Sequence, residues 1–127
     1  MILRILLAVA DEGFRSFIKR YLRSEDGLVV VGQALDGPEA VDKARLLNPD
    51  VVVIDVDLPG LDGLDVIRRI KMARPTRHMV LLSAVEGREY REAAARNGVD
   101  SYLLKTVSVY QLLTAIRKMV PPPAGLS

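Results

Sequence analysis

Three short apolar runs in this chain each end on a side chain capable of chemistry. Residues 51–54 run into Asp55, residues 79–82 into Ser83, and residues 101–104 into Lys105. Continuous apolar runs of this length predict strands that are buried on both faces, as in a parallel sheet. Because the carboxyl ends of parallel strands share one edge, where open α/β sheets bind ligands, we expect the acid, the hydroxyl and the amine to form a single site.

The remainder of the chain alternates between such runs and stretches of helical period, and Gly, Pro, Asp or Asn marks each change. Strands β1 to β5 are predicted at about residues 3–9, 28–34, 51–55, 79–83 and 101–104. Helices α1 to α5 are predicted near residues 12–24, 38–47, 62–73, 87–96 and 108–119. Asp36 is predicted to cap α2, and Asn97-Gly98 to end α4. Right-handed crossovers then give an α/β, doubly wound, five-stranded parallel sheet with helices on both faces.

Composition excludes several classes of function. The 127 residues are half hydrophobic, which suits one domain with a real core. Cysteine is absent and His78 is the one histidine, so disulfides and thiol catalysis are excluded and zinc is disfavoured. No apolar run approaches the roughly 20 residues that span a bilayer, so we expect a cytoplasmic location and no membrane partner. The net charge of +2 comes from scattered arginines, which favours solvated helix faces over nucleic-acid binding.

Residues 2–120 resemble the receiver domain of two-component response regulators. The resemblance rests on DVDLPGLDG beginning at Asp55, LLSA around Ser83 and YLLKT around Lys105, in that order. It implies a flavodoxin-like (βα)5 fold in which Asp55 is the phospho-acceptor, Ser83 contacts the phosphoryl group and Lys105 pairs with it. Tyr102 matches an aromatic whose position follows the state of the hydroxyl residue, so Ser83 and Tyr102 would form the switch; the residue itself fits an ordinary aromatic at the edge of the sheet equally well.

The chemistry of phosphoryl acceptance suits these residue types. A carboxylate can attack a phosphoryl donor and give an acyl phosphate, and the diffuse charge of the transferring group is stabilised mainly by positioning and by cations. The resemblance implies a magnesium ion with oxygen ligands, among them Asp55 and the backbone carbonyl of Asp57. It also implies a signalling domain and not an enzyme, with self-phosphorylation and self-dephosphorylation as its only catalysis.

The sequence departs from the family pattern at the end of the first strand, where receivers usually carry two adjacent acids. An ungapped alignment puts Val9 and Ala10 in those two places. Asp11-Glu12 lie one to two residues later and could serve only if the first loop shifts, and β1 is apolar on both faces, so its alternation does not fix the register. We favour the ungapped alignment and expect weak magnesium binding, with Asp11 as a candidate metal ligand.

Two functions therefore remain open. The first is a receiver that takes a phosphoryl group from a histidine kinase or phosphotransfer protein, and presents its α4-β5-α5 face to an output domain, a partner or a second copy. The second is a pseudo-receiver, a phosphorylation-independent interaction module with impaired magnesium binding, for which Val9-Ala10 speaks. A flavodoxin-like cofactor binder receives little weight, because no Gly-rich phosphate loop follows β1.

The expected domain organisation is a receiver at residues 1–120 followed by a Pro-rich tail, or the start of an interdomain linker, at residues 121–127. The stretch Val30–Ala34 resembles receivers that precede a helix-turn-helix output domain, which suggests transcription regulation. We expect no direct DNA binding by this chain. The sequence identifies neither the kinase nor the regulated process.

Overall fold

A computed structural model describes residues 2–74, 77–84, 87–106 and 109–119. Within them, five strands alternate with five helices. The strands are β1 Leu3–Ala8, β2 Leu28–Ala34, β3 Val51–Asp55, β4 His78–Ser83 and β5 Ser101–Leu104. The helices are α1 Glu12–Arg23, α2 Gly37–Leu47, α3 Gly63–Ala73, α4 Arg88–Arg96 and α5 Val109–Lys118. The predicted tail at 121–127, and position 120 before it, lie outside the described residues.

The five strands form one parallel sheet in the order β2-β1-β3-β4-β5. The predicted fold class is thus confirmed. The register places Asp55 opposite Leu82 and Ser83 opposite Leu104. Because these pairs fall at the carboxyl ends of β3, β4 and β5, the three side chains singled out in the sequence lie at one edge of the sheet.

Alternate residues of the buried strands face opposite layers of helices. On one face the core includes Val52 and Ile54 with residues of α2, α3 and α4, and on the other Val51 and Val53 with residues of α1 and α5. All five residues of β3 are buried. Burying each large aliphatic side chain contributes about 1.5–3 kcal/mol, so the central strands provide a firm base for the site.

Local signals in the sequence fix several helix ends as predicted. Asp36 accepts a hydrogen bond from the backbone N–H of Glu39 at 2.8 Å, which caps α2. Asn97 caps the end of α4, and Gly98 follows it with φ of +93°. Among the described helices, none combines the length and the apolar character that crossing a membrane requires.

Candidate functional site

Asp55 and Lys105 are in direct contact at the carboxyl edge of the sheet. The Lys105 ammonium lies 2.5 Å from Asp55 Oδ2, and the side chain of Asp55 is only 5% exposed. Ser83 is likewise buried and stands on β4, between the strands that carry the other two residues. The backbone N–H of Lys105 donates to the carbonyl of Ser83 at 2.7 Å, which joins the end of β5 to that of β4. The structure therefore brings the three predicted residues to one place.

The positive charge of Lys105 is held by more than one neighbour. Its Nζ also lies 3.4 Å from Asp57 Oδ2 and 5.8 Å from the centre of the Phe14 ring. Burial lowers the pKa of the Lys105 ammonium, but hydrogen bonds and charge attraction from Asp55 and Asp57 outweigh burial and raise that pKa above its ordinary value of 10.5. The site thus carries a fixed cation beside the carboxylate of Asp55.

The turn after β3 fixes the carboxylate of Asp55 from the other side. The backbone N–H of Asp57 donates to Asp55 Oδ1 at 2.9 Å, and the N–H of Leu58 donates to the carbonyl of Asp55 at 3.1 Å. Gly60 has a φ of +97°, which lets the chain reverse here, and its lack of a Cβ leaves room for the Pro38 ring. The side chain of Asp57 is 64% exposed at this mouth.

The first loop places Val9, Ala10 and Asp11 in three different environments. Val9 is fully buried in the apolar cluster under α1 and α5, whereas Ala10 is exposed. The Asp11 carboxylate accepts a hydrogen bond from the N–H of Phe14 at 2.7 Å and so caps α1. The Arg15 guanidinium donates to the carbonyls of Val9 and Ala10 at 2.9 and 3.1 Å. The loop carboxylate is thereby directed toward its own helix.

This arrangement offers few ligands to a divalent cation. Among the described residues, no three His, Cys, Asp or Glu side chains converge as a metal-binding group. Among the residues that the structure describes here, Asp55 and Asp57 bring carboxylates to the mouth, and both contact Lys105. Because Mg²⁺ requires near-octahedral oxygen ligands, the side chains gathered here fit it poorly.

A cavity of about 420 Å³ opens beside Ser83, between the turn after β3 and helix α4. The expected switch residue Tyr102 lies on its wall, where the guanidinium of Arg91 covers the Tyr102 ring at 5.2 Å. Tyr90 of α4 is a second aromatic there, with its ring centre 6.3 Å from that of Tyr102. Nothing in the sequence pattern singles out Tyr90, because its position depends on how α4 packs against the turn.

The hydroxyl of Tyr90 is buried and has no hydrogen-bond partner among the described residues, and it lies where a Cβ on Gly63 would collide with it. Burial, followed by the charges of Asp62 and other neighbours, raises the pKa of Tyr90 to about 12. The phenol therefore remains neutral throughout the physiological range.

Replacing Tyr90 by phenylalanine should leave the free energy of unfolding unchanged or raise it by up to about 1 kcal/mol, because the change removes a desolvated hydroxyl that makes no hydrogen bond within the described part of the chain. Urea denaturation would measure this. Tyr90→Ala is the matched comparison and should cost about 2 kcal/mol or more through lost packing. A loss above about 1 kcal/mol in the phenylalanine variant would show that the hydroxyl has a partner in solution.

Comparisons with known proteins agree with this geometry. The sequence model of the response regulator receiver domain matches residues 5–117. Response regulator GacA of Pseudomonas viridiflava is 35% identical over 115 residues, covering 91% of this chain and 54% of that protein. Response regulator protein VraR of Staphylococcus aureus NCTC 8325 is 36% identical over 120 residues, covering 93% of this chain and 56% of that protein. The chain thus spans little more than half the length of these relatives.

Among solved structures, the response regulator domain of Thermotoga maritima CheB superimposes with a TM-score of 0.87 at 31% sequence identity. The match covers 96% of this chain and all of that one. The whole described sheet, including the strand ends that carry Asp55, Ser83 and Lys105, thus follows a known architecture.

Proposed function

Because the chain belongs to the response regulator receiver domain family, a family of signalling domains in two-component systems, we propose that it accepts a phosphoryl group on Asp55. The donor would be a histidine kinase or a phosphotransfer protein. One observation carries the proposal: the buried carboxylate of Asp55 ends a central strand with the ammonium of Lys105 at 2.5 Å and Ser83 on the adjacent strand.

The transfer step follows from these groups. An oxygen of Asp55 forms a bond to the phosphorus of a phosphohistidine as the P–N bond breaks, and the imidazole leaves with the bonding electron pair. Lys105 already lies beside this oxygen, so its charge opposes the negative charge that accumulates on the phosphoryl oxygens. Ser83 ends the strand next to that of Asp55, and we propose that its hydroxyl donates to one of them.

Relay of the signal would proceed through the face formed by α4, β5 and α5. Tyr102 on β5 borders the cavity next to Ser83, so a hydroxyl drawn toward the phosphoryl group leaves space for that ring to move. An output domain, a partner or a second copy bound to this face would sense the change. The relatives are longer than this chain, and we propose an output domain for the full protein, with transcription regulation as its process.

The direct test is incubation with acetyl phosphate followed by intact-mass measurement. We expect the mass of one phosphoryl group to be added, and the product to be hydrolysed in alkali as an acyl phosphate is. The same donor should alter the line shapes of NMR resonances from Tyr102 and from α4. An unmodified mass at every donor concentration and pH tested would refute phosphoryl acceptance.

A second candidate is the pseudo-receiver, which would bind its partner without phosphorylation. Burial of Val9 in the apolar core and use of Asp11 as a helix cap favour it, since neither position then presents a carboxylate to the mouth. The two functions differ in one measurable respect. A pseudo-receiver binds its partner equally well as wild type and as Asp55→Asn, whereas a phospho-receiver gains or loses affinity on phosphorylation.

The chain alone should not bind duplex DNA with sequence specificity. Its net charge is only +2, and specific binding needs many phosphate contacts together with side chains that read base edges. A gel shift at about 0.15 M salt, with labelled promoter fragments and an unrelated fragment as control, should show no retention below about 1 μM protein. Retention of one fragment at nanomolar protein would contradict this expectation.

A further inference from the structure

We propose that Lys105 serves this site in place of a divalent cation, and that the site neither binds nor requires magnesium. The inference rests on the proposed phosphoryl acceptance at Asp55, and it adds the ionic requirement of that reaction. The family resemblance leads us to expect a metal ion. The proposal departs from that expectation because the side chains of this chain fit a metal ion poorly.

Both oxygens of the acceptor carboxylate already have partners. Oδ1 of Asp55 accepts a hydrogen bond from the N–H of Asp57 at 2.9 Å. Oδ2 forms an ion pair with the Lys105 ammonium at 2.5 Å. A metal ion approaching Asp55 would have to displace an ammonium that is also 3.4 Å from Asp57 Oδ2. The two carboxylates that a cation would need are thus both engaged by the same lysine.

The first loop does not supply the missing ligands. The side chain of Val9 lies in the apolar core, and the carboxylate of Asp11 is bound at the start of α1. The guanidinium of Arg15 holds the carbonyls of Val9 and Ala10 and also donates to Gln33 Oε1 at 3.0 Å. Arg15 is therefore a positioning residue. Its hydrogen bonds hold the first loop in place and engage the two loop carbonyls that a metal ion could otherwise use.

Lys105, in contrast, is held where a cation is needed. The backbone N–H of Lys105, directly after β5, donates a hydrogen bond to the carbonyl of Ser83. The Lys105 ammonium lies beside the Phe14 ring, whose face attracts a cation. A charge that is covalently attached and already positioned does not have to be dehydrated and captured, as Mg²⁺ must be. Acceptance from acetyl phosphate then needs no other ion: the Asp55 oxygen bonds to phosphorus, the P–O bond breaks, and acetate leaves with the electron pair.

Metal binding can be measured without any reaction, by titrating Mn²⁺ and following the electron paramagnetic resonance signal of the free ion. Wild-type protein should show no saturable binding below millimolar Mn²⁺. Lys105→Met should bind Mn²⁺ at least about threefold more tightly than wild type, because Asp55 and Asp57 are released, whereas Lys105→Arg keeps the charge and should not.

Adding carboxylates at the first strand should create the absent site. The Val9→Asp/Ala10→Asp double variant should bind Mn²⁺ at least about tenfold more tightly than wild type. Ala10→Asp alone, at an exposed position, should gain less and covers the case in which the double variant fails to fold. Asp11→Ala should change nothing. Submillimolar binding by wild type that Asp11→Ala abolishes would overturn the inference, since the loop carboxylate would then be a ligand.

Phosphorylation gives the second readout. With acetyl phosphate as donor, the rate for wild type in EDTA should lie within about twofold of the rate in excess Mg²⁺. A rise of about tenfold or more on adding Mg²⁺ would overturn the inference and leave phosphoryl acceptance intact. Absence of product in both conditions would refute phosphoryl acceptance, and the Mn²⁺ titration would still decide whether the site binds metal.

Discussion

Asp55→Asn should reduce the incorporation of a phosphoryl group from acetyl phosphate by at least about a hundredfold, because a carboxamide oxygen is a far weaker nucleophile than a carboxylate. Asp55 is the acid that combines burial at a strand end with direct contact to Lys105. The substitution preserves the size of the side chain and the acceptor for the N–H of Asp57. Intact-mass spectrometry over a time course measures the effect.

The matched control for this experiment is Asp57→Asn, two residues further along the same turn. The Asp57 side chain is largely exposed and its contact with Lys105 is longer, so this variant should still be phosphorylated to the extent of wild type. Circular dichroism should show both variants folded. Equal labelling of Asp55→Asn and wild type would place the acceptor elsewhere and remove the basis of the proposed function.

The second large effect concerns the first strand. Without divalent metal at neutral pH, Val9→Asp should lower the free energy of unfolding by about 3 kcal/mol or more, because it introduces a carboxylate among apolar side chains. Ala10→Asp, one residue further at an exposed position, should change it by less than about 0.5 kcal/mol. Urea denaturation of the two variants beside wild type provides the comparison.

The dependence of this deficit on pH has a definite sign. Burial raises the pKa of a carboxyl in the folded state above its unfolded value of about 3.9. The folded protein therefore binds the proton more tightly, and the deficit of Val9→Asp should shrink as the pH falls from about 7 toward 4. Equal stability of the two variants at neutral pH would show that apolar side chains do not enclose position 9 in solution.

The sequence was sufficient to predict the architecture, because two signals mark each buried strand: its apolar run and the turn residues that follow it. The run before Asp55 is apolar on both faces, as expected of a central parallel strand, and the turn that follows contains Pro59 and Gly60. The start of α2 and the end of α4 could be predicted as well, because Asp36 and Asn97 form hydrogen bonds with backbone groups close to them in sequence. Local interactions thus determine where the strands and helices begin and end. The parallel arrangement of the strands brings Asp55, Ser83 and Lys105 to one edge of the sheet.

The details of the site depended on contacts distant in sequence and could not be predicted in the same way. An aspartate after a strand can cap a helix or bind a metal, and the apolar β1 does not reveal which, so the cap made by Asp11 emerges only from the structure. The contact of Lys105 with Asp57 depends on the side-chain conformation of both residues. The position of Tyr90 depends on the packing of α4 over Gly63.

The place of β5 in the sheet has a consequence for how long Asp55 and Lys105 stay together. β5 is a four-residue edge strand whose residues are all only partly buried, whereas β3 is central and wholly buried. Brief local openings start at such weakly packed elements and leave the central strands intact. Each opening of β5 would carry Lys105 away from Asp55 while the central strand stays in place. The carboxylate of Asp55 would then stand without its ion pair for as long as β5 takes to pair again with β4.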